Sequence, residues 1–130
     1  MSTELIMLVC TALLSVSLPV IYLIGRLQVA GGLEWGLSNR ERPFEVAPWV
    51  SRAERAHRNL TENLAPFAIL VLVAVIAGKP NAWTAAGATI FFLARVAHAA
   101  VYVAGLTPLR TIMFFIATFG ELLILFQLFR

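Results

Sequence analysis

Four long apolar stretches separated by polar breaks organise the chain. Leu5–Ile24 carries no charge, has Pro19 near its end and is closed by Gly25-Arg26; about 20 apolar residues suffice for a helix to cross a bilayer. Residues 27–50 interleave Gly31-Gly32, Gly36, Pro43 and Pro48 with Glu34, Arg40, Glu41, Arg42 and Glu45, which is the composition of a loop. Leu64–Ala77 alone is too short to span. Extended back through Arg52–Asn63 it becomes a full-length helix, 52–77, whose first turns are polar. Pro66 removes a backbone donor inside that helix and predicts a kink. Gly78-Lys79-Pro80-Asn81 reads as a tight turn, 83–105 as a third span, and Leu106-Thr107-Pro108 leads into a fourth at 109–129. The pattern predicts an all-α fold: a four-transmembrane-helix bundle in which residues 1–130 form a single integral-membrane domain.

Two polar stripes interrupt this hydrophobicity at helical spacing. Arg95, His98 and Tyr102 stand at i, i+3 and i+7 in the third span, and Arg52, Arg55, Arg58, Asn59 and Glu62 open the second. A charge at bilayer depth costs several kcal/mol and persists only where it faces protein or water and finds a partner. The antiparallel order places the start of helix two, the end of helix three and the start of helix four at one end of the bundle. The segments Arg55–Glu62 and Arg95–Tyr102 therefore converge with Arg110. Arg95 lies on the order of 15 Å from the end of its helix, at about 1.5 Å rise per residue. Glu121 reaches a comparable depth in helix four, so Glu62 and Glu121 are both available as its counter-charge; Arg95 with Glu121 is the expected structural ion pair.

Composition agrees with a membrane protein. The 130 residues are 60% hydrophobic and 13% charged, with a mean hydropathy of +0.85, whereas soluble domains carry about a quarter charged residues. The net charge of +3 comes largely from arginines beside hydrophobic runs, so it reads as topology and site chemistry rather than as a nucleic-acid surface. Arg26, Arg40, Arg42, Arg52, Arg55 and Arg58 lie in or beside the first connection, and Arg110 lies by the third. The positive-inside rule then places those connections in the cytoplasm. Arg40 and Arg42 need no role beyond setting this orientation. Met1-Ser2-Thr3-Glu4 lacks the basic start of a cleaved signal peptide, so the first run is expected to remain as a helix. The lone Cys10 excludes an internal disulfide.

Several chemistries compete for the polar stripes. Intramembrane polar groups hold helices together at about 0.6 kcal/mol per hydrogen bond, but a pair of residues would suffice for that. A metal site is poorly supported: His57 and His98 are the only histidines, aspartate is absent, and no ligand spacing occurs. No Ser-His-carboxylate set is visible, and Cys10 belongs to the opposite end of the bundle. Binding of a small, multiply charged anion remains. Arginine forks match carboxylates, while Glu62 and Asn59 suit an ammonium or amide. Glutathione, with two carboxylates, an amine and a thiol, meets this mixed demand, and a neighbouring guanidinium would favour its thiolate. A transporter that uses Glu121 as its membrane carboxylate is an alternative of another class.

The run from Arg52 through Arg55-Ala56-His57-Arg58-Asn59 and Glu62 to Pro66-Phe67 resembles the signature of the membrane-associated proteins in eicosanoid and glutathione metabolism. The later run Arg95-Val96-Ala97-His98, then Tyr102, then Pro108-Leu109-Arg110, resembles the prostaglandin-synthase branch of that family. With the four spans, the similarity covers nearly the whole chain. Asn39-Arg40-Glu41-Arg42-Pro43 through Pro48-Trp49 is similar to bacterial members, which implies a bacterial inner membrane. The resemblance implies a homotrimer with glutathione between subunits as co-substrate and no metal. It implies glutathione contacts at Arg26, Arg55, Arg58, Asn59, Glu62, His98 and Tyr102, with Arg110 as the catalytic, thiolate-stabilising arginine. The second partner would be a hydrophobic electrophile or a lipid hydroperoxide, for transferase or peroxidase chemistry. A non-catalytic lipid-binding scaffold of the same fold is the alternative. The absence of aspartate, Thr111 in place of that branch's serine and Phe114 in place of its tyrosine point away from prostaglandin synthesis.

Overall fold

The computed structural model describes residues 1–130 as α1 (Thr3–Leu27), α2 (Gly32–Leu37), α3 (Pro48–Ile76), α4 (Ala82–Ala104) and α5 (Thr107–Leu128), with no strand. Four of the helices are long and apolar enough to cross a membrane. They run alternately up and down. Arg26 at the end of α1 meets Glu54 near the start of α3, Arg52 meets the end of α4 at Val103, and Lys79 after α3 meets the end of α5 at Leu128. One end of the bundle, the loop end, therefore collects Arg26, Arg52, Gly105 and the start of α5. The other, the turn end, collects Glu4, Asn81, Thr84 and Leu128.

The predicted spans hold, with shifted limits. Helix two begins at Pro48, because a proline in the first turn loses no hydrogen bond, and it continues through Pro66 as one helix. The stretch 27–50 is not all loop. Gly31 takes a left-handed conformation (φ 78°) and starts the short α2, whose Gly32 approaches α1 so closely that a Cβ there would lie 2.0 Å from the Arg26 carbonyl oxygen. Those glycines look like loop residues in the sequence, yet they are what let a helix dock. At Gly25 an added Cβ would fall 2.5 Å from Val50 and 2.6 Å from Trp49, so α1 and the start of α3 touch at this point.

The core is thin, as expected of a bundle whose outer faces meet lipid. Phe67, Val71 and Ala74 of α3, Ala88, Phe91 and Ala94 of α4, and Ala117 and Ile124 of α5 form its main cluster, with Phe67 and Phe91 stacked 3.9 Å apart. Helices α4 and α5 make the closest approach. Gly87 and Gly120 face each other, and a Cβ on either would stand 2.6 Å from the other's carbonyl oxygen. Small residues let membrane helices bring their backbones together, since packing rather than water exclusion drives their association. Leu13, Val16, Ile69, Ile76, Phe115, Phe119 and Phe126 remain exposed on the outer faces.

Candidate functional site at the loop end

Helix periodicity sorts the α3 stripe onto two sides. Ala53, Ala56 and Leu60 are buried against neighbouring helices, which turns Arg55, Arg58 and Glu62 outward and leaves Asn59 half-buried at the edge facing α4. From α4, Arg95 and His98 point inward and are 1% and 3% exposed. Tyr102 lies one turn further on, its ring 5.4 Å from the His98 ring in an edge-to-face arrangement. Gly105 ends α4 in the left-handed region (φ 83°), and Leu106 opens α5 so that Arg110 returns over Tyr102, its guanidinium carbon 4.6 Å from the ring centroid.

Tyr102 and Arg110 form a shared wall between two hollows. The first, about 230 Å³, is lined by Arg52, Arg55, Gly105 and Thr107 besides the shared pair, with no acidic residue. The second, about 310 Å³, is lined by Asn59, His98, Thr111, Phe114 and Phe115 with the same two. One hollow thus offers three guanidinium groups and the other an amide, an imidazole and two aromatic faces. Of the residues singled out in the sequence, Arg55, Asn59, His98, Tyr102 and Arg110 come together here. Arg58 and Glu62 line neither hollow in a single chain and stay exposed.

Arg26 lies apart. Its guanidinium donates to Glu54 at 2.6 Å and rests 5.0 Å from the ring centroids of both Tyr22 and Trp35. It therefore ties α1 to α3 and lines neither hollow containing Arg110.

The expected Arg95–Glu121 ion pair does not form, and Glu62 does not replace it: Arg26–Glu54 is the only ion pair within 4.0 Å. Arg95 instead donates to the Asn59 side-chain oxygen at 2.9 Å, with its guanidinium carbon 5.1 Å from the Phe91 ring centroid and 5.4 Å from that of Phe114. Its Nε and second terminal nitrogen, like one oxygen of Glu121, are buried without a hydrogen-bond partner. The correction follows from helix geometry. Asn59 is the stripe member that reaches Arg95, Glu62 turns outward, and Glu121 is one residue from Gly120, which packs against the Gly87–Phe91 turn of α4 rather than against Arg95 itself.

Arg52 belongs to the stripe in the sequence, but its place in the site is visible only in three dimensions. Its Nε donates to the Val103 carbonyl at 2.8 Å, and its guanidinium lies 3.4 Å from where a Gly105 Cβ would stand. The left-handed break that ends α4 leaves a carbonyl free and a glycine flat beside it, and Arg52 fills both roles.

Fold and site together define a multi-pass integral membrane protein with an arginine-rich, aromatic-backed site at one end of a four-helix bundle. A family model, that of the MAPEG family, matches residues 6–130, nearly the whole chain, and the chain belongs to that family. No curated protein matches it.

Proposed function

We propose that the protein is a membrane glutathione-dependent transferase or peroxidase. Arg110, placed between a polyarginine hollow and an aromatic one, is the observation that carries this reading. Arg52 and Arg55 suit a carboxylate of glutathione, while Asn59 and His98 border the neighbouring hollow. The thiol then lies near Arg110, whose fixed charge favours the thiolate over the neutral form. Phe114 and Phe115 supply an apolar approach for a substrate arriving from lipid. In conjugation the thiolate sulfur forms a bond to an electrophilic carbon as the leaving group departs with its electron pair. With a hydroperoxide it attacks the terminal oxygen and breaks the O–O bond to give an alcohol. A second glutathione then reduces the resulting sulfenic acid to water and the disulfide.

The same reading includes a homotrimer. Arg55, Arg58 and Glu62 are exposed on an isolated chain, and charges on a bilayer-facing flank are costly. A second copy laid against this flank covers them, and it brings Arg58 and Glu62 to a ligand held at the seam.

Glutathione added to the detergent-solubilised protein tests the reading. At about a hundred times its dissociation constant, a ligand that binds only the folded state adds about 2.7 kcal/mol of stability. Turnover of an aryl halide or of cumene hydroperoxide should accompany that stabilisation. Stabilisation without turnover of either would indicate a binding scaffold, and neither effect would remove glutathione from the site.

A further inference from the structure

The first connection folds into a feature the glutathione site does not use. Helix α2 doubles back on the end of α1, and the two enclose a groove of about 310 Å³. Leu23 and Leu27 of α1 stand i, i+4 along one wall, and Leu33 and Leu37 of α2 stand i, i+4 along the other. All four are exposed, Leu37 to 82%. Arg26 and Arg40 complete the lining, with no acidic residue among the groove's walls. Arg26 already donates to Glu54, whereas Arg40 forms no ion pair within 4.0 Å, although Glu34 and Glu41 line the hollow on its other side. Arg40 holds the only left-handed backbone conformation of any non-glycine residue (φ 58°), a conformation that side-chain-bearing residues adopt at a steric cost. That conformation turns its guanidinium back over the Trp35 ring, 5.6 Å from the centroid, and toward the Gly36 carbonyl. Gly36 supplies the floor: a Cβ there would meet nothing within 4 Å.

Depth and chemistry select the occupant. The groove lies where an apolar spanning helix gives way to a polar connection, with Trp35 beside it, which is the position of the bilayer's headgroup layer. Exposed leucine walls at that depth face acyl chains, and a guanidinium at their edge faces phosphate. We infer that the α1–α2 groove binds an anionic glycerophospholipid, its phosphate at Arg40 and an acyl chain along Leu23, Leu27, Leu33 and Leu37. This makes α2 a lipid-anchored element, independent of what occupies the site around Arg110.

Native mass spectrometry of the detergent-released protein, with phosphatidylglycerol or phosphatidylcholine of identical acyl chains added, tests the inference. The wild type should retain phosphatidylglycerol in preference. Gly36→Leu fills the groove and should lose both lipids. Arg40→Gln should lower phosphatidylglycerol binding by about fivefold, the worth of one basic side chain at an anionic surface, and Arg40→Lys should restore most of it. Equal retention of the two lipids by the wild type, or wild-type retention of phosphatidylglycerol by either Gly36→Leu or Arg40→Gln, overturns the proposal. Displacement of the lipid by glycerol 3-phosphate alone would also overturn it, by showing a phosphate site without an acyl groove. Thermal melting of each variant, unchanged from wild type, confirms that lost binding is not lost folding.

Discussion

The two ends of the bundle treat polar side chains in opposite ways. At the turn end, Glu4 is 2% exposed and accepts a hydrogen bond from the Thr84 hydroxyl at 2.5 Å. Asn81 caps α4 by accepting from the backbone of Trp83 and Thr84, and Lys79 donates to the Leu128 carbonyl at 2.6 Å. These groups are partnered within the chain and join α1 to α4 and the end of α3 to α5; the Ser2 hydroxyl at the start of α1 is buried without a partner. At the loop end, Arg26, Arg52 and Arg95 are tied to Glu54, Val103 and Asn59 and His57 to Tyr22, but Arg55, Arg58, Glu62, His98, Tyr102 and Arg110 make no side-chain hydrogen bond within the chain. Buried or membrane-level polar groups are normally satisfied. The open groups at the loop end are the ones the proposed ligand and a second copy of the chain would complete.

Arg110→Ala should give the largest effect. Loss of the charge beside the thiol should cut turnover at neutral pH by about a hundredfold or more, the scale for removing one electrostatic stabiliser. Part of that loss should return as pH rises toward the ordinary thiol value of about 8–9 and free thiolate becomes available. An ultraviolet thiolate signal on glutathione binding should shrink in parallel. Wild-type turnover and signal in this variant would reduce Arg110 to a topology charge and erase the contrast between the ends.

Thr84→Val probes the other end. The substitution keeps the shape and removes the hydroxyl on Glu4, so it should destabilise by about 1–3 kcal/mol in a thermal or denaturant unfolding measurement. Glutathione affinity should not change. A shift in affinity instead would mean that the turn end also belongs to the site.

Glu62→Gln is smaller. Because Arg95 is bonded to Asn59 rather than to Glu62, the melting temperature should hold. Glutathione affinity should drop by about tenfold if Glu62 meets the ligand's amine, about 1.4 kcal/mol. Lower stability with unchanged affinity, compared on the same preparation, would place Glu62 in a structural pair between subunits.

Arg42→Gln should do least. Its backbone carbonyl accepts from the Trp35 indole at 2.6 Å, a bond the substitution preserves, and exposed cations contribute about 0–1 kcal/mol. Unfolding and turnover should both stay at wild type.

The spans were legible because length and apolarity set them almost alone: each predicted helix is present, its ends moved by a few residues, with α1 running through Gly25-Arg26 to Leu27 rather than closing there and α3 starting at Pro48. The convergence of Asn59, His98, Tyr102 and Arg110 was legible from spacing and alternating direction. What sequence could not supply was rotation. Whether Asn59, Glu62 or Glu121 reaches Arg95 turns on about 100° per residue and on the Gly87–Gly120 contact that fixes how α4 and α5 lie together. The Glu4–Thr84 bond joins residues distant in the chain, with no periodic signal to announce it. Helix α2 was hidden because glycines that permit close docking look the same in sequence as glycines that make turns.

The contact at Gly25 has a consequence for how this chain can vary. The backbone leaves α1 and re-enters α3 at residues already in van der Waals reach of one another, Gly25 against Trp49 and Val50. Everything between is an excursion that begins and ends at one point, so the bundle places little demand on its length. Doubling such a loop costs only about 0.6 kcal/mol in closure entropy. Insertions and deletions should therefore accumulate between Gln28 and Ala47, where a lineage can trade one peripheral accessory for another without disturbing the helices beneath.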